Sequence, residues 1–249
     1  MPSLDRTLAS IFPRTADVST AGHLTIGGCD VVDLAREYGT PLYVFDEVEL
    51  RASMRAYRRA FEERYERVRV LYASKAYLAR WVAAIALEEG LGFDAVSGGE
   101  LAVLLAAGAP TDAIYLHGNN KSEQELREAL AAGVGRIVVD NLHELELLDR
   151  LAREAGKRQP ALLRLSPGID PHTHAKTTTG ILDSKFGIPI ATGDAERAVR
   201  EALALPGVEL VGLHCHLGSP IFETEPYERA NDVMLAFAAE MRDRHGFEL

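Results

Sequence analysis

Short runs of β-branched and apolar residues recur along this chain, most of them beginning 21 to 25 residues after the one before, and each is followed by a stretch of helical patterning. The runs are YASK at 72–75, GFDAV at 92–96, AIYLHG at 113–118, RIVVD at 136–140, ALLRLS at 161–166 and LVGLHCH at 210–216. That interval is the length of one strand, one helix and two short turns. Six βα units and a parallel sheet with right-handed crossovers are therefore predicted, which makes the fold class α/β. The one long gap, between 161 and 210, carries an insertion.

Helix starts agree with this reading. Ser97, Ser122 and Asn141 each stand three positions before a carboxylate, at Glu100, Glu125 and Glu144, as a capping residue does. Gly90, Gly108 and Gly133 close three helices. Before the repeat, Leu42 to Phe45 reads as a strand leading into an amphipathic, charge-rich helix from Glu47 to about Tyr65. Repeated βα units can close into an eight-stranded barrel or stay open as a doubly wound sheet, and no glycine fingerprint of the dinucleotide-binding version is present. Either way the active site is expected at the carboxyl ends of the strands, among Lys75, Asp94, His117, Asp140, Ser166 and the turn from His214 to Ser219.

Charge removes some classes of function. With 27 Lys and Arg against 37 Asp and Glu, the formal net charge is −10, so no global basic field is available for nucleic acid or an anionic membrane. The apolar run from Trp81 to Leu87 is far short of the roughly 20 residues that a spanning helix needs. The opening MPSLDRTLASIFPR lacks the apolar core of a signal peptide, so a cytoplasmic protein is expected. Cys29 and Cys215 form neither a disulfide framework nor a zinc-knuckle spacing.

Lys75 ends an apolar strand, from which an amine can meet a ligand and form a Schiff base; alternatively its stem covers the strand end while the ammonium reaches water. His214 and His216 are spaced to share one strand face with Cys215 on the other. They could ligate a metal in a barrel hydrolase, stack on a flat cofactor beside Gly218 and Ser219, or be hydrogen-bonded structural histidines. Arg164 lies within an apolar strand and Asp94 between Phe93 and Ala95, so each needs a partner, which could be the other or a neighbouring residue. Glu100 reads as a capping-box residue. The segment from Pro167 to Gly187 is a candidate active-site loop, and its His172 and His174 have no metal-ligand spacing.

Taken in order, YASKA, GFDAVSGGEL, HGNNKS, LRLSPGID, TGILDSKFGI and GLHCHLGSPIF resemble the diaminopimelate decarboxylase family over roughly residues 33 to 249. The resemblance implies a group IV pyridoxal-phosphate-dependent decarboxylase of the alanine-racemase-like fold, a (β/α)8 TIM-type barrel followed by a β domain, which makes L-lysine and CO2 from meso-2,6-diaminopimelate. Lys75 matches the lysine that holds pyridoxal 5'-phosphate through a Schiff base. His216 matches the histidine whose ring stacks on the pyridine, and Ser219 matches a hydroxyl near the phosphate. Asp94 and Arg164 match polar positions around the cofactor. No metal is implied. SGGEL at 97–101 and Lys185 to Gly187 are family signatures without an assigned role, and Pro220 departs from the family's usual glutamine. Same-fold decarboxylases for arginine, ornithine or carboxynorspermidine are the alternative, as is a non-catalytic pyridoxal-phosphate-binding protein.

The family's glycine-rich phosphate turn, its acidic-Gly-Arg segment and its C-terminal β domain have no counterpart before Leu249. The expectation is a barrel truncated after about six strands. Residues 1–40 form an N-terminal segment that would pack with the β domain, and residues 41–249 form an incomplete cofactor-binding barrel. The full-length protein is expected to be a homodimer with an amino-acid substrate. The first and sixth strands would be sheet edges with unpaired backbone groups, which favours aggregation. The 249-residue chain alone should therefore be poorly soluble and inactive; a soluble monomer with full decarboxylase turnover would contradict this.

Overall fold

The computed structural model describes residues 11–169 and 186–248, which divide into two compact units. The first takes residues 11–70 and 84–91, and the second takes residues 71–83, 92–169 and 186–248. Among the described residues no helix is long and apolar enough to cross a membrane.

The first unit holds a small antiparallel sheet in the order β1 (Asp17–Val18), β2 (Leu24–Ile26), β3 (Cys29–Asp30). Asp30 caps the helix Val31–Tyr38 by accepting from the Val32 N–H, and Asp46 caps the helix Glu47–Glu62 by accepting from the Glu49 N–H. The long amphipathic helix thus forms where its pattern places it, ending three residues before Tyr65. The strand expected at Leu42 to Phe45 is absent. Those four residues are exposed and belong to no sheet, and a continuous apolar run without period-2 alternation specifies no sheet face. Both cysteines are free thiols.

The second unit is the repeated part. Its strands are β4 (Leu71–Ala73), β5 (Gly92–Ala95), β6 (Ile114–Leu116), β7 (Arg136–Val139), β8 (Gln159–Ser166), a short β9 (Ile188–Pro189) and β10 (Val208–His214). They lie in the order β10-β8-β7-β6-β5-β4, each neighbouring pair parallel, so all six expected strands form. The order never reverses, whereas a doubly wound sheet changes direction at a switch point, so this is the barrel type of connection. The two-residue β9, paired to the end of β8, lies in the predicted insertion and is too short to leave a pattern in the sequence. Residues 170–185 of that insertion, with His172, His174 and Lys185, lie outside the described residues.

Burial follows from the parallel arrangement. Phe93, Ile114, Leu116, Ile137 and Val139 are fully buried, and in β7 three consecutive residues are inaccessible, as expected of strands covered on both faces. The capping residues act as their spacing suggests. Ser97 and Asn141 accept from the N–H groups of Glu100 and Glu144, and Ser122 with Glu125 makes a complete reciprocal capping box. Glu100 departs from the box, since its carboxylate accepts from the Val96 N–H instead of from the cap residue, and Glu144 does the same with Asp140. Gly90, Gly108 and Gly133 all have the positive φ that a helix-terminating glycine supplies.

Gly135 is required for space, because a Cβ there would stand 2.1 Å from the carbonyl oxygen of Asp112. Gly135→Ala should destabilise the protein by about 1–3 kcal/mol, as overpacking does. Gly99→Ala, whose new Cβ would meet nothing nearer than Ser97 Oγ at 3.8 Å, should be neutral or stabilising by about 0.5–1 kcal/mol. Urea unfolding of both variants checks the pair, and equal midpoints would contradict it.

Candidate active site

The parallel register brings the polar strand ends of the second unit to one edge. Lys75 follows β4 in the 3-10 turn Ser74–Ala76, Asp94 lies in β5 beside Ala73, and Arg164 pairs in register with His214. Here a cavity of about 280 Å³ is lined by Lys75, Val96, Arg164, Phe186, His216 and the stretch His117 to Asn120. Lys75 Nζ stands 3.4 Å from His216 Nε2. Two larger hollows on the first unit, about 650 and 500 Å³, are lined by neither lysine nor histidine, and one of about 420 Å³ on the second unit has Lys121, Glu144 and the single imidazole of His143 in its lining. The cavity of about 280 Å³ is where an amine and imidazoles converge.

Three imidazoles cluster beside it. The His117 ring meets that of His214 edge to face, with centroids 4.5 Å apart, and that of His216 at 6.4 Å. The shared face expected of His214 and His216 is therefore present, although β10 itself ends at His214, while Cys215 packs against the apolar cluster of Ile169, Leu217 and Ala230. Burial holds the His216 ring neutral, lowering its pKa to about 4 with help from the positive charges of Lys75 and Arg164. Burial also drives His214 well below the usual imidazole value, followed by His117 and Arg164. Glu100 is pushed above the usual carboxylate value, first by burial and then by the neighbouring Asp94.

The charged residues at these strand ends find partners among their neighbours, the second of the two arrangements open from the sequence. Asp94 and Arg164 do not pair with each other: Asp94 meets His117 Nδ1 at 3.4 Å, and Arg164 Nη1 donates to Asp140 Oδ1 at 2.6 Å. The guanidinium also lies over the Phe186 ring, 5.0 Å from its centroid. Lys121, whose side chain is 1% exposed, lies 2.8 Å from Glu144 Oε1. Among the described residues no group of three or more metal-ligating side chains is assembled.

Of the five site residues named from the sequence, Lys75, Arg164 and His216 line the cavity, and Asp94 is linked to it through His117. Ser219 is exposed and lies outside the cavity lining. His117 and Asp140 were visible only as strand-end residues without a role. Asn119, Asn120 and Lys121 stand in the sequence only as part of HGNNKS, Phe186 only as part of the Lys185 to Gly187 signature and Glu144 only as a capping carboxylate, none with a role in the site. The available signal for the loop was its position, three polar residues and a lysine between a strand end and the Ser122 cap.

Comparison with known proteins gives a consistent answer. A family model described as "Pyridoxal-dependent decarboxylase, pyridoxal binding domain" matches residues 48–249. A diaminopimelate decarboxylase of Bacillus methanolicus is 45% identical over 237 residues, which is 95% of this chain and 55% of that protein. The Bacillus subtilis diaminopimelate decarboxylase is 45% identical over 91% of this chain and 52% of its own. Among solved structures, diaminopimelate decarboxylase from M. jannaschii in complex with L-lysine superposes with a TM-score of 0.85 at 32% identity, covering 94% of this chain and 55% of that one. The Helicobacter pylori enzyme, also complexed with L-lysine, gives 0.81 at 27% identity over 86% of this chain and 53% of that one. The chain thus spans about half the length of the curated relatives it matches.

The histidine cluster predicts a pH dependence. The folded protein holds the His216 pKa at about 4, below the usual 6.5, so the unfolded chain binds the extra proton first as the pH falls. Stability should then decline between about pH 6.5 and pH 4, and His216→Phe should flatten part of that decline. Urea unfolding at pH 7, 6 and 5 measures it, together with the ring carbon shifts of labelled histidine; a His216 ring that titrates at 6.5 or above would refute the burial argument.

Proposed function

This chain belongs to the pyridoxal-dependent decarboxylases through their pyridoxal-binding domain, and from that premise we propose that it serves the decarboxylation of meso-2,6-diaminopimelate to L-lysine and CO2, the last step of lysine biosynthesis. Pyridoxal 5'-phosphate is the proposed cofactor, bound in the cavity beside Lys75. The observation that carries the reading is the approach of Lys75 Nζ to His216 Nε2 at 3.4 Å inside that cavity. The identity to named diaminopimelate decarboxylases and the superposition on two such enzymes crystallised with L-lysine support the choice of substrate.

The donor set fits a small planar aldehyde cofactor. About 280 Å³ is at the low end for ligand pockets and suits a single-ring molecule. A primary amine at the mouth of a strand can bond covalently to an aldehyde, and a neutral imidazole offers an uncharged flat face. The buried Nε2 of His117 has no hydrogen-bond partner within the protein. Glycine at 118, with φ 111°, keeps backbone close to backbone there, since a Cβ would stand 3.0 Å from the Val96 carbonyl oxygen.

When bound, pyridoxal phosphate supplies the electron-accepting ring that takes the pair left behind as a carboxylate departs. In this proposal Lys75 binds the cofactor through Nζ and takes it back after the product leaves. His216 presents a ring face and, being neutral, adds no second cation beside the Lys75 amine. Asp94 accepts from His117 Nδ1 and fixes that ring's orientation, leaving Nε2 to meet the bound group. Arg164, clamped by Asp140, keeps Phe186 against the cavity. Ser219, exposed at the end of the same turn, is proposed as a hydroxyl donor to the phosphate. Homodimer formation and a cytoplasmic setting are proposed on family grounds alone.

In the full-length enzyme, borohydride reduction in the presence of pyridoxal phosphate should fix a stable pyridoxyl label on Lys75, and Lys75→Ala should abolish both label and CO2 release from meso-diaminopimelate. Label retained at normal stoichiometry in Lys75→Ala would overturn the assignment. Faster CO2 release from ornithine or arginine than from meso-diaminopimelate would overturn the substrate.

A further inference from the structure

Two deeply buried charges in the second unit, Lys121 and Glu144, lie outside the lining of the Lys75 cavity, yet each is bonded to residues that shape it. Lys121 Nζ donates to the carbonyl oxygen of Gly118 at 2.5 Å and to that of Val138 at 2.7 Å. The same ammonium lies 2.8 Å from Glu144 Oε1, and Glu144 Oε2 accepts from the Asp140 N–H at 3.0 Å. Asp140 in turn holds Arg164 through Oδ1 and accepts from the Gly187 N–H through Oδ2 at 3.3 Å. Two cations and two carboxylates thus form a neutral buried chain. It begins at Gly118, next to Asn119 and Asn120, and ends at Arg164 and Gly187, next to Phe186. Both ends are cavity wall.

A buried ion pair is a poor way to gain stability, because apolar side chains of similar volume do as well or better. Its use here has a geometric reason. Residues 118–120 and 186–187 belong to no helix or strand, so no backbone ladder fixes them. A charge that must be met by a carboxylate and two carbonyl oxygens fixes the loop it belongs to, and burial makes any slippage costly.

We propose that Lys121 and Glu144 are positioning residues for the ligand of the Lys75 cavity: through Gly118 on one side and Asp140, Arg164 and Gly187 on the other, they hold two wall segments in the spacing that the ligand needs. The inference rests on the pyridoxal-phosphate reading of that cavity.

The test uses Glu144→Gln, which keeps an acceptor for the Asp140 N–H but strands the Lys121 charge. A double variant, Lys121→Met with Glu144→Gln, leaves no unpaired buried charge, so it should fold even if the single variant does not. In the ligand-free protein, backbone 15N order parameters at residues 118–120 and 186–187 should fall together from about 0.85 towards 0.6, while those of the helix Glu225–His245 stay put. The dissociation constant for pyridoxal phosphate should rise on the order of tenfold to a hundredfold, with Lys75 still labelled at saturation. A double variant with native order parameters and native affinity overturns the inference, as does loosening confined to 118–120. A purely structural role would lower the unfolding midpoint and leave both readouts unchanged. If the unaltered protein takes up no pyridoxal phosphate, it is the cofactor reading that fails, and the ligand-free order parameters still decide whether the pair holds the walls.

Discussion

A parallel sheet buried on both faces leaves its strands almost no place for a charged side chain, and the rest of this structure depends on that constraint. β7 is apolar through Ile137, Val138 and Val139, and the first ionisable group after it is Asp140, just past the last paired residue. β5 admits Asp94 only next to its end, and β8 admits Arg164 only where Asp140 can meet it. Polar chemistry is therefore concentrated at one edge of the sheet. The residues gathered there are still buried, so nearly every charge must be met by an opposite one.

That concentration explains why the outline of the fold was legible in the sequence. Strand spacing and helix caps are local signals, readable within a few residues, and the turns at Ser97, Ser122 and Asn141 have the hydrogen bonds their spacing implies. The failure at Leu42 to Phe45 has the complementary cause. A strand exists only when another backbone pairs with it, and four apolar residues in a row carry no information about a partner. Glu100 shows a finer limit: the spacing told that its carboxylate would reach back, but not that it would choose the N–H of Val96.

The site was legible to the extent that its residues stand at strand ends. Lys75 and His216 are conspicuous because a polar side chain closes an apolar run, and Arg164 because it interrupts one. Lys121 was not, because it sits between a polar loop and a strong cap, where an exposed lysine is ordinary. Its partner, Glu144, already had a sufficient local explanation in the Asn141 cap. Pairing across 23 residues of chain is decided by strand register, which brings the start of one helix beside the start of the next, and no short-range pattern encodes it. The same holds for Asp94 and Arg164, which invited each other by sign and were separated by geometry.

The distribution of partners at this edge also separates the one amine suited to covalent chemistry from the other cations. Arg164 and Lys121 each meet a carboxylate oxygen within 3 Å, and such a neighbour keeps a cation charged and fixed in place. Lys75 meets an imidazole nitrogen at 3.4 Å instead, on a ring that burial keeps neutral at ordinary pH. Were His216 charged, it would be a buried cation beside Lys75 and near Arg164, with too few carboxylates to compensate it. Its neutrality follows first from burial and then from the positive charges of Lys75 and Arg164. The carboxylates Asp140 and Glu144 are taken by Arg164 and Lys121, and Asp94 faces His117. Among the described cations, Lys75 meets a neutral ring where Arg164 and Lys121 meet carboxylates, and that distinction depends on the buried pairs as much as on the lysine itself.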